Sequence, residues 1–384
     1  MNSEQATPAC RRKVHIALVG GQPAPVYNVI KATSPDVVEM VYSDKTNDVL
    51  DLLMQELSDF NIEGATKISA TELNQIEDCA KALANKYAGD DITLNISGGT
   101  KAWSHIFGVM FQGMDNAHVV YIDQNNVLWD FKTMTGERNF KFDMRTQFRL
   151  YNNPLKFYTP LSEYNENDDR VANEVEKIRK INPVVFNKLT ITQNKKDKNK
   201  LNSREGRIPA PDGSFISWQK PAVKGDNTVV EIEIKNKYNT FNKTLRSPHA
   251  FELVFNAGWF EYKVAKMLER WDKSTEVLLN CTFPDKNNAP KNEVDVIVNA
   301  GTKIFFIECK TQISKITDID KFRSVVKNYG GTASKGVFIT EANKKDNAKE
   351  KCDQNSLIDI TFNPQSCVQA IFDRLDEELV VSNA

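Results

Sequence analysis

Residues 305–310 read FFIECK, an apolar strand that ends in two charges. A charge taken out of water costs several kcal/mol or more unless a partner or a metal compensates it. Side chains alternate along a strand, so Glu308 and Lys310 share one face. The segment before it, EVDVIVNAGTK, reads as the other arm of a hairpin turning at Asn299-Ala300-Gly301-Thr302. With the turn centred on Ala300-Gly301, Asp295 faces Phe306 and Glu293 faces Glu308. Asp295 and Glu308 are then a diagonal pair, roughly 7–8 Å apart. Two carboxylates at that separation can share one divalent cation with waters between them. Lys310 beside them can orient or deprotonate an attacking water, or stabilise charge developing on a phosphorane. Glu261 adds a third carboxylate. It lies in a helical stripe with Val254, Gly258, Ala265 and Leu268, where an acid is out of place unless it points into a site. Cys309 points to the opposite face and reads as core, with its main-chain carbonyl available to a metal. Glu293 shares the acidic face as a rim residue.

A second constellation is Ser97-Gly98-Gly99-Thr100-Lys101, between a strand and a helix. Backbone N–H groups, a hydroxyl and an ammonium at a helix N-terminus make an anion site. Gly20-Gly21-Gln22 ends another strand. Neither stretch has the spacing of a P-loop or of a G-x-G-x-x-G fingerprint, which argues against NTP hydrolysis and dinucleotide binding. The same glycines also suit tight strand–helix turns.

The elements that carry these residues fall into two α/β patterns. From Lys13 to about Asp130, apolar strands (14–19, 36–42, 65–70, 91–96, 118–122) alternate with helices (47–60, 71–88, 102–113), which predicts a parallel sheet covered on both faces. Ligands of such sheets bind beyond the carboxyl ends of the strands, where both glycine pairs sit. Residues 151–245 read as a connector and small subdomain, with a helix over 168–180, a basic solvated stretch over 193–207 and a strand over 229–234. From about 246 the second pattern begins. It has a long helix over 249–271, strands over 276–283, 293–299, 304–310 and 336–340, and helices over 316–329 and 365–379. The expected domains are 1–150, 151–245 and 246–384.

The chain has 384 residues, 40% hydrophobic and 26% charged, with a net charge of −1, so any contact with nucleic acid must come from a local patch. Six scattered cysteines without a C-x-x-C, and four histidines, argue against a zinc site or a disulfide framework. The N-terminus lacks an apolar signal region and no apolar run reaches eighteen residues, so the expected location is the cytoplasm, without membrane contact.

The set Glu261, Asp295, Glu308-Cys309-Lys310 resembles the PD-(D/E)XK restriction-endonuclease-like nucleases, with Val294 where that family often has proline. The resemblance implies Mn²⁺ or Mg²⁺ held by Asp295, Glu308, Glu261 and Cys309, and catalysis by Asp295, Glu308, Lys310 and Glu261. The first strand ending in Gly20-Gly21-Gln22, together with NISGGTKAW at 95–103, resembles the CARF (CRISPR-associated Rossmann-fold) domain over about residues 10–135. That resemblance implies a homodimer binding cyclic tetra-adenylate through Gly21, Gln22, Ser97, Gly98, Gly99, Thr100 and Lys101. Together they imply a cyclic-oligoadenylate-activated, metal-dependent endonuclease of type III CRISPR antiviral defence, cutting DNA, RNA or both, with a single-stranded substrate favoured. The alternative is a cyclic-adenylate-sensing regulatory module that binds nucleic acid without cleaving it.

Overall fold

The computed structural model describes residues 11–379, apart from 124–125, 138–142, 192–199, 224, 286, 288, 302, 314 and 332–333. Residues 193–199 of the basic stretch expected over 193–207 lie outside the described residues. Its end, Glu205–Pro209, is a strand.

The first sheet has seven strands in the order β3-β2-β1-β4-β5-β6-β7. They are β1 (Lys13–Leu18), β2 (Val37–Tyr42), β3 (Ile62–Lys67), β4 (Asp91–Asn95), β5 (Ala117–Ile122), β6 (Leu128–Asp130) and β7 (Thr135–Glu137). The first five are parallel and the last two fold back antiparallel. β1 is buried on both faces from Val14 to Leu18 because helices cover both, as its mainly apolar run, broken only by the buried His15, requires. The helices are α1 (Pro23–Thr33), α2 (Asn47–Glu56), α3 (Leu73–Lys86) and α4 (Lys101–Gln112). This is the expected Rossmann-like architecture. The third strand starts three residues earlier than 65–70 suggests, because Ile62 enters the ladder opposite Val38.

The second sheet has six strands in the order β17-β16-β15-β14-β13-β8. They are β8 (Phe157–Pro160), β13 (Glu276–Pro284), β14 (Pro290–Asn299), β15 (Ile304–Lys310), β16 (Ser334–Thr340) and β17 (Ile358–Thr361). β13, β14 and β15 are antiparallel, whereas β15, β16 and β17 are parallel. Between the two sheets in sequence, β9 to β12 form a four-stranded antiparallel sheet over 205–247. The segment read as a connector does not stand apart. Its strand β8 joins the C-terminal sheet, and its helices α6 (Glu166–Ile181) and α7 (Pro183–Thr190) share one hydrophobic core with that sheet.

Two expectations need correction. The helix over 249–271 is broken into α8 (Ala250–Val254) and α9 (Gly258–Glu269). Asn256 and Ala257 adopt left-handed φ values of 52° and 67°, and the Asn256 N–H donates to Thr190 O. A Cβ at Gly258 would lie 2.0 Å from Glu252 O, so only glycine fits the re-entry into α9. The hairpin also differs by two residues. Val298 pairs with Phe305 and Val296 with Ile307, closed by a four-residue loop in which the Ala300 N–H donates to Lys303 O. An even shift leaves every side chain on its expected face.

Helix α5 (Met144–Leu150) ties the two parts together. Met144 and Phe148 enter the core under β13–β16, while Leu150 enters a core of the first sheet. Arg145 pairs with Glu276 at 3.0 Å, and Arg149 pairs with Glu56 at 2.7 Å. Between them, the buried Gln147 Nε2 donates to the buried Asn28 Oδ1 at 2.8 Å. Among the described residues, no helix is long and apolar enough to cross a membrane. Gln147→Leu strands a buried amide acceptor, which costs about 1–3 kcal/mol. The expected result is a lower urea midpoint with an unchanged slope; an unchanged midpoint would show that Asn28 finds another partner.

Candidate active site

The site is built where a ladder stops. β14 stays paired with β13 along its length, but its pairing with β15 ends at Val296–Ile307. Asp295 and Glu308 are the next residues on the two diverging strands. They are therefore direct neighbours, closer than the diagonal pair expected from the sequence. The backbone N–H of Cys309 has lost its ladder partner and donates instead to Asp295 Oδ2 at 2.7 Å. Main-chain geometry thus fixes the Asp295 carboxylate. Lys310 Nζ lies 2.5 Å from Glu308 Oε1 and 3.7 Å from Asp295 Oδ2, and it donates to Cys309 O at 3.3 Å.

The charges are mostly buried. The Asp295 side chain is 13% exposed and that of Glu308 17%. Burial and the Asp295 carboxylate push the Glu308 acid up to about 7, although Lys310 pulls against them. Burial and then Asp295 raise the Glu261 acid well above the usual carboxylate range. Glu261 therefore faces the same cluster from α9. Burial works against the Lys310 ammonium, but Asp295 and Glu308 outweigh it and raise its pKa. Lys310 is held as a cation and hydrogen-bond donor. Cys309 lies in the core, and burial pushes its thiol well above the ordinary value, which excludes a thiolate nucleophile.

The structure thus brings Asp295, Glu308 and Lys310 together, with Glu261 in electrostatic reach. Glu293 lies exposed at the rim. Among the described residues, no group of three or more His, Cys, Asp or Glu side chains is placed to hold a metal ion by itself. Sequence reasoning missed Glu341. It follows β16 directly, its N–H donates to Lys310 O at 3.1 Å, and both oxygens take hydrogen bonds from Arg179. Sequence alone could not place it, since only the sheet order shows that β16 runs parallel to β15 and ends beside it.

The second constellation lies at the carboxyl ends of β1 and β4. A Cβ at Gly98 would lie 2.1 Å from Leu18 O, and one at Gly20 would lie 2.7 Å from Gly99 N. These glycines let two loops pack backbone to backbone. The Ser97 hydroxyl accepts from the Ile122 N–H at 2.8 Å. The Thr100 hydroxyl caps α4 by accepting from the Trp103 N–H, and donates to Ala70 O. Gly21, Gln22 and Lys101 are exposed at the surface.

Residues 258–367 match the family model described as a nuclease-related domain, NERD. That span includes Glu261, Asp295, Glu308 and Lys310. No curated protein matches the chain. Among solved structures, Can2 from Sulfobacillus thermosulfidooxidans, in complex with cyclic tetra-adenylate, is similar with a TM-score of 0.64 at 16% identity, over 96% of this chain and 100% of that one. Protein VC1899 from Vibrio cholerae is similar with a TM-score of 0.66 at 13% identity, over 96% of this chain and 97% of that one. A type III CRISPR defence DNA nuclease activated by cyclic oligoadenylate is similar with a TM-score of 0.54 at 14% identity, over 88% of this chain and 48% of that one.

Because the folded protein raises the Glu308 acid from 4.5 to about 7, it binds a proton there more tightly than the unfolded chain does. The stability tied to that proton is present below about pH 4.5 and is lost as pH rises through about 7. Glu308→Gln, in chelator, is expected to raise stability by about 1 kcal/mol or more at pH 8 and by little at pH 5. Urea midpoints at the two pH values check this, and equal gains at both would contradict it. The chain shares the fold of Can2 and VC1899, a Rossmann-like sheet followed by a region, residues 258–367, that matches a nuclease-related domain.

Proposed function

We propose that the chain is a metal-dependent endonuclease switched on by a cyclic oligoadenylate. The observation that carries this reading is the meeting of Asp295, Glu308 and Lys310 at a strand fork inside the span that matches a nuclease-related domain. The donor set fits a hard divalent cation, Mn²⁺ or Mg²⁺. Asp295, Glu308 and the Cys309 carbonyl would hold it, with Glu261 completing the acidic wall. A bound cation would supply Lewis acidity to a phosphate oxygen and a more acidic water. Asp295 is held in place by the Cys309 N–H, so its carboxylate does not have to reorganise. Lys310, kept as an ammonium, donates to the phosphate and offsets the negative charge that grows in the transition state. The substrate is a phosphodiester in DNA or RNA.

The sensor reading rests on the loop pair at 20–22 and 97–101. Backbone N–H groups at the start of α4 and the exposed Lys101 suit a phosphate-bearing ligand. The fold shared with the cyclic-tetra-adenylate complex of Can2 favours that ligand. A symmetric ring clasped by two copies of the chain makes the active form a homodimer, with one ligand per dimer. The setting is type III CRISPR antiviral defence in the cytoplasm. Moving the nuclease from 1% to 99% active requires about 5.5 kcal/mol of ligand preference for the active state. Charge-assisted bonds from both copies can supply it.

Asp295→Ala or Glu308→Ala is expected to lower the cleavage rate at least about a thousandfold, about 4 kcal/mol in the barrier. Activator binding should persist. Wild-type cleavage by Glu308→Ala would remove this hairpin from the chemistry. A wild-type protein that binds nucleic acid but never cuts it, with every metal and cyclic adenylate supplied, would favour the regulatory alternative.

Lys101→Ala is expected to weaken cyclic tetra-adenylate binding while leaving the nuclease site intact. The double variant with Thr100→Ala should bind more weakly still, and it should lose about 1 kcal/mol of stability with the helix cap. Calorimetry showing unchanged affinity in both would move the sensor site elsewhere.

A further inference from the structure

Helix α6 belongs to the segment between the two main sheets, yet it grips the elements that carry the candidate active site. The Tyr262 hydroxyl on α9 donates to Asp169 Oδ1 at 2.9 Å, and Lys263 pairs with Glu176. Arg179, near the end of α6, reaches furthest. Its Nη2 donates to both oxygens of Glu341, at 2.6 and 2.7 Å, across 162 residues of sequence. Its guanidinium lies over the Trp259 ring, 4.8 Å from the centroid. Both ends of this contact lead directly to the site. Glu341 donates its N–H to Lys310 O, and Trp259 precedes Glu261 by two residues on α9.

We propose that Arg179 is a positioning residue for the reaction, setting Lys310 through Glu341 and Glu261 through Trp259. This inference rests on the nuclease reading given above. A planar guanidinium lies flat on an indole while its N–H groups hold a carboxylate in its own plane, whereas an ammonium meets both only as a point charge. The Arg179 and Glu341 side chains are only 18% and 19% exposed, so water screens the pair weakly. The Arg179 Nε–H is buried and meets no acceptor among the described residues. Because α6 follows β8 and β8 follows α5, the helix that touches both parts of the molecule, Arg179 also stands at the end of a continuous chain of elements from the sensor to the site.

The test uses the full-length protein with saturating cyclic tetra-adenylate and Mn²⁺, and follows steady-state cleavage of a labelled single-stranded oligonucleotide. Arg179→Ala is expected to lower kcat at least tenfold with KM within twofold of wild type. Arg179→Lys should restore only a small part. Glu341→Gln should reproduce the loss, and the double variant Arg179→Ala/Glu341→Gln should be no more than twofold slower than the worse single variant. Melting curves decide whether a variant folds; if Arg179→Ala does not, Glu341→Gln and Arg179→Lys carry the comparison. Wild-type kcat in the folded variants would overturn the proposal, as would a rise in KM alone or full recovery by lysine. Multiplicative losses in the double variant would also overturn it. A wild-type protein that fails to cleave at all would instead overturn the nuclease reading, so the two failures are distinguishable.

Discussion

The hydrogen bond from the Cys309 N–H to the Asp295 carboxylate is the contact on which the C-terminal site turns. A buried N–H must find an acceptor. In an unbroken ladder it would find a main-chain carbonyl, and the two strands would stay closed. Here a side chain takes that place, and the strands separate without leaving the donor unpaired. The separation lets two carboxylates and an ammonium occupy a position that would otherwise be sheet interior. Burial first, and then like charges that close, disfavour the ionised acids, and the raised acids of Glu308 and Glu261 express that cost. Lys310 offsets part of it.

The rest of the domain holds this unfavourable cluster in place. The apolar body of β15 is buried from Ile304 to Ile307, so the strand cannot slide to bring its charges to water. The left-handed turn at Asn256-Ala257 starts α9 afresh and presents Glu261 to the fork. A charged site is thus anchored by apolar packing on one side and by a fixed backbone conformation on the other. At the loop pair of the first sheet the same logic runs through glycine. Gly20 and Gly98 allow two loops to touch through their backbones, which leaves N–H groups as the chemistry on offer there.

Much of this was legible because it depends on periodicity. Alternation put Asp295, Glu308 and Lys310 on one face, and an even register error could not move them off it. Apolar runs marked β1, β2, β4 and β5 of the first sheet and β13 to β16 of the second, but not the short outer strands β6, β7, β8 and β17. The helix break left a mark in Asn256 and Gly258, residues that turns favour, but it was overridden because the stripe through Val254, Gly258 and Leu268 runs on as though the helix were continuous. The loop of the hairpin was misjudged for a related reason. Asn299 and Ile304 still pair, so the turn holds four residues and not two. Glu341 was missed although it ends a recognisable strand, because the neighbour of a parallel strand is known only once the sheet order is known. Arg179 carried no signal at all, since its partner is 162 residues away.

Helix α5 is seven residues long and belongs to two cores at once. A helix so short has no room to bend, so its two ends move as one body. The surfaces it touches in each part of the molecule are therefore constrained by each other. Exchange of the N-terminal sheet for that of a distant relative would have to break through this helix or carry it along, and either choice leaves one core facing side chains it was not shaped to meet. Inheritance should thus treat the segment from Met144 to Leu150 as a joint whose two faces change together, while the surfaces remote from it drift independently.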